Sequence, residues 1–127
     1  MYTKQQTAEI AETLRKAGEW LDGHDWLRGH LTDIQERVFR TGSSLQDWFT
    51  GAQAGCARGA ILVALGATDG RGWDHHPGFF AADSALQAYI SEGDTLLDVG
   101  QWNNEHAADK AEVVKALYQA ADNLIST

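Results

Sequence analysis

Three groups of residues have the types and spacing to do chemistry. The first is the lone cysteine, Cys56, with Arg58 two positions on. A reactive thiolate needs a helix N-terminus or a basic neighbour to lower its pKa, and a histidine to act as base. Yet Cys56 lies among small and apolar residues: Gly55, Ala57, Gly59 and Ala60, then Ile61, Leu62, Val63 and Leu65. That setting favours a buried structural thiol over a nucleophile, with Cys56, Gly59 and Ala60 as a packing motif.

The second group is made of histidines beside acids: His24, Asp25 and His30; Asp74, His75 and His76; Glu105 and His106. A metal requires converging ligands, and no two of these histidines stand four apart on one helix face. No metal and no cofactor is expected. Trp73, His75 and His76 stay candidates for binding, in a glycine-rich loop. The third group is Trp102-Asn103-Asn104. One reading is a structural corner, in which the tryptophan fills the edge of the core and an asparagine amide satisfies backbone donors. The other is a small polar pocket with an aromatic wall. Trp20, Trp26, Trp48 and Trp73 fall in or beside predicted loops and helix ends, where an exposed aromatic patch would serve a partner. The chain has no GxxxxGK[ST], no GxGxxG after a strand, no GxSxG and no zinc-knuckle spacing. Those absences speak against the commonest small-enzyme classes.

Elements must hold these residues in place. The chain has 127 residues, 43% of them apolar, with five tryptophans. That suits one domain, 1–127, with a genuine core. Eighteen acidic side chains against ten basic ones give a formal charge of −8. Direct binding to nucleic acid is disfavoured, because neutralising phosphates takes a basic face. An anionic membrane surface is disfavoured likewise, and a basic partner surface is allowed. One cysteine permits no internal disulfide, which fits a reducing cytoplasm. The apolar and glycine run over residues 60–67 is far short of the ~20 needed to span a membrane. The N-terminus has no signal-peptide core. A soluble cytoplasmic protein is expected.

The apolar period is helical throughout, and no useful stretch alternates with period two. Thr7 is placed to cap a first helix carrying Ile10, Leu14, Ala17 and Leu21, with Gly23 as its stop. Residues 23–31 read as a loop. Thr32 and Gln35 open a short helix with Ile34, Val38 and Phe39, ended by Gly42. Ser44 and Asp47 open the next, whose face runs through Leu45, Trp48, Phe49, Ala52, Cys56, Ala60 and Val63. Gly51 or Gly55 is expected to break it. Residues 66–78 form the clearest loop. Ala82, Ala85, Leu86, Tyr89 and Ile90 mark another helix, and residues 95–102 a short turn. Asp109 and Glu112 box the start of a closing helix with Val113, Val114, Leu117, Ala120, Ala121 and Leu124. The expected fold is all-α: a compact single-domain bundle of four to six helices around a central apolar helix at about 53–66.

The chain also resembles a family. A small actinobacterial and actinophage domain of unknown function pairs a Trp-Cys-Ala-x-Gly-Ala-Ile helix with a later Trp-Asn-Asp motif. The matching residues are Cys56-Ala57-Arg58-Gly59-Ala60-Ile61 and Trp102-Asn103-Asn104, with Trp26 and Gly29 like the family's Trp-x-x-Gly. Gly55 stands where that family has Trp, Asn104 where it has Asp, and residues 31–50 are longer than the family's connection. The resemblance implies a small helical domain and a phage or phage-derived origin, and supplies no reaction.

The first expectation for function is a non-enzymatic protein-binding module, acting on a host or self protein through an acidic or aromatic surface. Its binding residues would come from Trp26, Trp73, His75, His76, Trp102, Asn103 and Asn104, with no catalytic residue. The alternatives are a small-molecule or hydrolase-like pocket built from Cys56, a loop histidine and the Trp102-Asn103 corner, and a homo-oligomeric structural module such as a homodimer.

Overall fold

The computed structural model describes residues 3–28, 53–65, 77–91 and 95–125. Helix α1 spans Lys4–Asp22. Its stripe Ile10, Ala11, Leu14, Ala17 and Leu21 is buried while Glu9, Glu12, Lys16 and Glu19 face water. The helix starts one turn earlier than Thr7. Thr3 caps it, its hydroxyl accepting from the Gln6 N–H while the Gln6 side chain accepts from the Thr3 N–H. That reciprocal box satisfies two of the helix's free donors, and Thr7 inside the first turn instead donates its backbone N–H to the Thr3 carbonyl. Gly23 closes the helix as expected, its N–H bonded back to the last turn.

The chain then departs from the all-helical pattern. Residues Asp25–Trp26 form β1, which pairs in parallel with β2, Ala54–Gly55. The bonds Asp25 N–H to the Gln53 carbonyl (3.1 Å) and Leu27 N–H to the Gly55 carbonyl (3.0 Å) hold the register. Two residues are too few to show an alternating pattern, so periodicity could not reveal them. This pairing also corrects the expected central helix. Helix α2 is Ala57–Ala64, eight residues rather than the stretch 53–66. Cys56 sits just outside it in extended conformation, so the break falls at Gly55–Cys56. Gly51 and the predicted helices within 29–52 lie outside the described residues.

Most of α2 is interior: Ala57, Gly59, Ala60, Ile61 and Leu62 are buried. Helix α3, Pro77–Ile90, carries Phe79, Ala82, Leu86 and Ile90 inward. Pro77 and Gly78 belong to its first turn, not to the preceding loop, because proline lacks only a donor that the first turn does not use. The expected short turn at 95–102 resolves into a three-residue helix α4, Val99–Gln101, capped by Asp98, and a π-helical turn, Trp102–His106. Helix α5 runs Lys110–Ile125. Asp109 caps it by accepting from the Glu112 N–H. The return bond of the expected box goes one residue further back, from Ala108 N–H to Glu112.

Helices α1 and α5 pack along one another and form the long frame of the molecule. Val113, Val114, Leu117, Ala120 and Ala121 close over the α1 stripe. Helix α2 inserts beside α1, and α3 covers α5 from another side. Gly18 is one of the joints of this frame. A methyl group there would come within 3.0 Å of the Tyr118 ring, so glycine lets α5 approach α1 closely. Lys110, at the start of α5, donates to the carbonyls of Asp22 and His24 at 3.1 Å each. It thereby supplies the positive charge that the last turn of α1 lacks. No helix among the described residues is long and apolar enough to cross a membrane.

Candidate functional site

The π turn brings two consecutive residues inward. Here the Ala107 N–H reaches the Trp102 carbonyl five residues back, at 2.8 Å. The wider turn buries Trp102 and Asn103 together, and leaves Asn104, Glu105 and His106 exposed.

Asn103 is the only polar or charged residue among the described ones to be buried, and it is completely so. Its Oδ1 accepts from the Trp26 indole N–H (2.8 Å) and from the Ala57 backbone N–H (3.0 Å). Its Nδ2 donates to the Leu27 carbonyl (2.9 Å) and to Asn104 Oδ1 (3.1 Å). An amide offers two acceptor sites and two donors, and all four are occupied. One side chain therefore ties β1, the first turn of α2 and the π turn together. Trp26 is equally committed. Its ring lies under the Arg28 guanidinium, 4.6 Å from the ring centroid, and Arg28 itself donates to the Ala107 carbonyl at 2.7 Å.

Cys56 stands at the N-cap of α2. Its sulfur accepts from the Gly59 N–H at 3.4 Å, the place a serine or aspartate oxygen commonly takes. Burial pushes the thiol pKa up, against the opposing pull of the Gly59 and Arg58 N–H groups and the Arg58 charge. A helix N-terminus thus fails to make this cysteine a thiolate, because desolvation outweighs it. Trp73, His75 and His76 lie outside the described residues. No group of three or more His, Cys, Asp or Glu able to hold a metal occurs among the described residues.

A polar group that the sequence reading did not assemble joins three elements. Arg58 on α2 makes a two-pronged contact with Asp83 on α3, Nε–Oδ1 at 2.9 Å and Nη2–Oδ2 at 3.2 Å. The same Nη2 reaches Asp98, the cap of α4, at 2.8 Å. Arg58's own burial works against its charge, and the two carboxylates overcome it to raise its pKa. Burial likewise opposes ionisation of Asp98, but the Gln101 N–H and Arg58 hold its carboxyl below the usual range. Gly100 makes room for this arrangement, since a methyl there would lie 3.0 Å from Arg58 Nη1. One signal in the sequence pointed this way. A charged residue inside the most apolar run must find a partner when the run is buried.

Beside this tied-down corner, a cleft opens. About 460 Å³ in volume, it is lined by Ile90, Thr95, Leu97, Trp102, His106 and Glu112. A second cleft of about 350 Å³ lies against Tyr89, Lys115 and Ala116 and shares Ile90, Trp102 and Glu112 with the first. The two are arms of one groove between α3, the 95–97 segment, the π turn and α5. Trp102 forms the common wall, although only 6% of its surface is exposed. Its indole N–H has no hydrogen-bond partner among the described residues. Leu96, 74% exposed, stands between Thr95 and Leu97, two of the first arm's lining residues.

A family model matches residues 5–123, nearly the whole chain. The chain belongs to DUF6197, a family of unknown function. The DUF6197 match takes in both described strands and all but the outermost residues of the described helices. No curated protein and no solved structure shows significant similarity to this DUF6197 chain.

Proposed function

We propose that this DUF6197 domain is a non-enzymatic protein-binding module of the cytoplasm, with its binding face around Trp102. The observation that carries the reading is the groove: an aromatic wall with aliphatic and polar sides, beside an exposed leucine, on a chain of net charge −8. Concave sites that combine an aromatic wall with polar groups are places where partners bind. Acidic charge favours encounter with a basic partner surface. The absence of catalysis is supported by where the reactive types are spent. Cys56 is a buried cap, Asn103 has no free hydrogen-bonding position, and Arg58 is held between two carboxylates. The hydrolase-like alternative needs a thiolate, which burial of Cys56 opposes.

Photo-crosslinking from two positions tests the reading. A photoreactive amino acid replaces Leu96, beside the groove, or Glu12, exposed on α1. One partner protein should crosslink from position 96 and not from position 12, and Cys56→Ser should leave this unchanged. Crosslinking that is equal from both positions, or absent from both, would overturn it. So would rapid alkylation of Cys56 in the folded protein.

A further inference from the structure

Resting on that reading, we infer that the partner seated on the groove face is a second copy of this chain, joined across a twofold axis. A twofold interface uses one patch twice, so the patch must carry both halves of every contact. The face around Trp102 does so in two ways. It holds a projection and a hollow. Leu96 is 74% exposed, beside a cleft of about 460 Å³ with Ile90, Leu97 and Trp102 in its walls. Each leucine leaves water by entering the cleft of the other copy. Thr95 and His106 make the rest of that cleft polar, which matches a facing surface of the same mixed character.

The face also holds both signs of charge. Glu112 lines both arms and Lys115 lines the smaller one. Both are exposed on α5 and stand three residues apart, hence on one side of the helix. Lys115 makes no ion pair with Glu112 or with any other described residue. Glu112 spends Oε2 on the Ala108 N–H and keeps Oε1. When two α5 helices cross antiparallel, with the axis midway between these residues, Glu112 of each copy faces Lys115 of the other. Glu105, on the π turn, accepts from the Gln101 side chain at 3.0 Å and lines neither arm. The two arms together thus hold one carboxylate and one ammonium, whereas the whole chain has 18 acidic side chains against 10 basic ones. Two copies of charge −8 repel at a distance, and this is a face on which they meet without that excess. Salt screens the distant repulsion more than the contacts inside an interface. Self-association should therefore tighten as salt is added, whereas binding to a basic partner would loosen.

Sedimentation equilibrium of the full chain, from micromolar to millimolar concentration, tests this. Wild type should form a weak dimer that tightens with salt. Leu96→Ser, Glu112→Lys and Lys115→Glu should each raise the dimer Kd about tenfold, the reversals because they set like charges together at two symmetric points. Glu12→Lys makes the same change of net charge on the exposed side of α1 and should not weaken the dimer. The decisive sample is an equimolar mixture of Glu112→Lys with Lys115→Glu. One copy then carries two positive charges and the other two negative ones, so every facing pair is opposite. The mixed dimer should form about as tightly as wild type. A variant that had lost its fold would not be rescued by mixing. A monomer at millimolar concentration, a Kd that rises with salt, or a mixture no tighter than its separate components would overturn the proposal. Its failure is distinct from failure of the broader reading. A different protein crosslinked from position 96, with the purified chain monomeric, removes the second copy and leaves the binding face. A second copy crosslinked equally from positions 96 and 12 removes both.

Discussion

Replacing Asn103 by alanine should cost more than any other single polar change in the described chain. The substitution removes all four hydrogen bonds at once and leaves the partners where they are. The Ala57 N–H lies in the buried part of the network, so losing its acceptor costs about 1–3 kcal/mol. The Trp26 indole and the Leu27 carbonyl are partly buried, and each loses about 0.5–1.5 kcal/mol. The contact with exposed Asn104 contributes little. The expected loss is about 2–6 kcal/mol, a large fraction of the roughly 5–15 kcal/mol that holds a small domain. Urea unfolding of Asn103→Ala, read by tryptophan fluorescence, measures it against Gln119→Ala, an exposed control expected to stay within about 0.5 kcal/mol. The indole N–H of Trp26 should also exchange with solvent faster in the variant, since it loses its acceptor. A loss below about 1 kcal/mol, with the slope of the urea curve unchanged, would refute the claim that this amide ties three elements together.

Other outcomes follow from the same geometry. Cys56→Ala should cost about 0.5–2 kcal/mol through loss of the α2 cap, whereas Cys56→Ser, which keeps an acceptor for the Gly59 N–H, should lie within about 1 kcal/mol of wild type by urea unfolding. The wild-type thiol should react slowly with a chromogenic disulfide in buffer and promptly in denaturant. Arg58→Met should destabilise by about 1–3 kcal/mol, reduced from the cost of a fully buried pair because Arg58 and Asp83 retain 22% and 17% side-chain exposure. Asp98 is held below the usual carboxylate range when folded, so its contribution is present above about pH 4 and disappears as pH falls through the lower folded value. Melting temperatures measured from pH 6 down to about pH 2 should therefore fall less steeply in Asp98→Asn than in wild type.

The helices were legible because each buries a stripe long enough to repeat. Ile10, Leu14, Ala17 and Leu21 on α1, and Val113, Leu117, Ala120 and Ala121 on α5, recur with the period of a helix and meet across the main interface. Just ahead of α2 the glycines signalled a break correctly, and it falls at Gly55–Cys56, but the extended pairing of Ala54 and Gly55 was not legible. Cys56 and Ala60 share a helical face on paper, yet Ala54 and Gly55 pair with Asp25 and Trp26, a contact between residues nearly thirty apart. Such pairing leaves no local mark. The Trp102-Asn103 corner was legible as a structural possibility, because an asparagine after an aromatic at a turn often satisfies backbone groups. Its partners Trp26, Leu27 and Ala57 were not, being brought there by tertiary packing alone. The groove was least visible of all. Ile90, Leu97 and Glu112 belong to three separate segments with nothing in common until α3 and α5 enclose them.

The most direct measurement follows the five tryptophan indole N–H resonances, assigned by single Trp→Phe variants, during titration with the partner protein captured by crosslinking from position 96. The resonance of Trp102, whose side chain lines the groove, should shift and saturate, while that of Trp26, locked on Asn103, stays in place. Movement of the Trp26 signal with a stationary Trp102 would mean that the corner is the binding site and the groove is not.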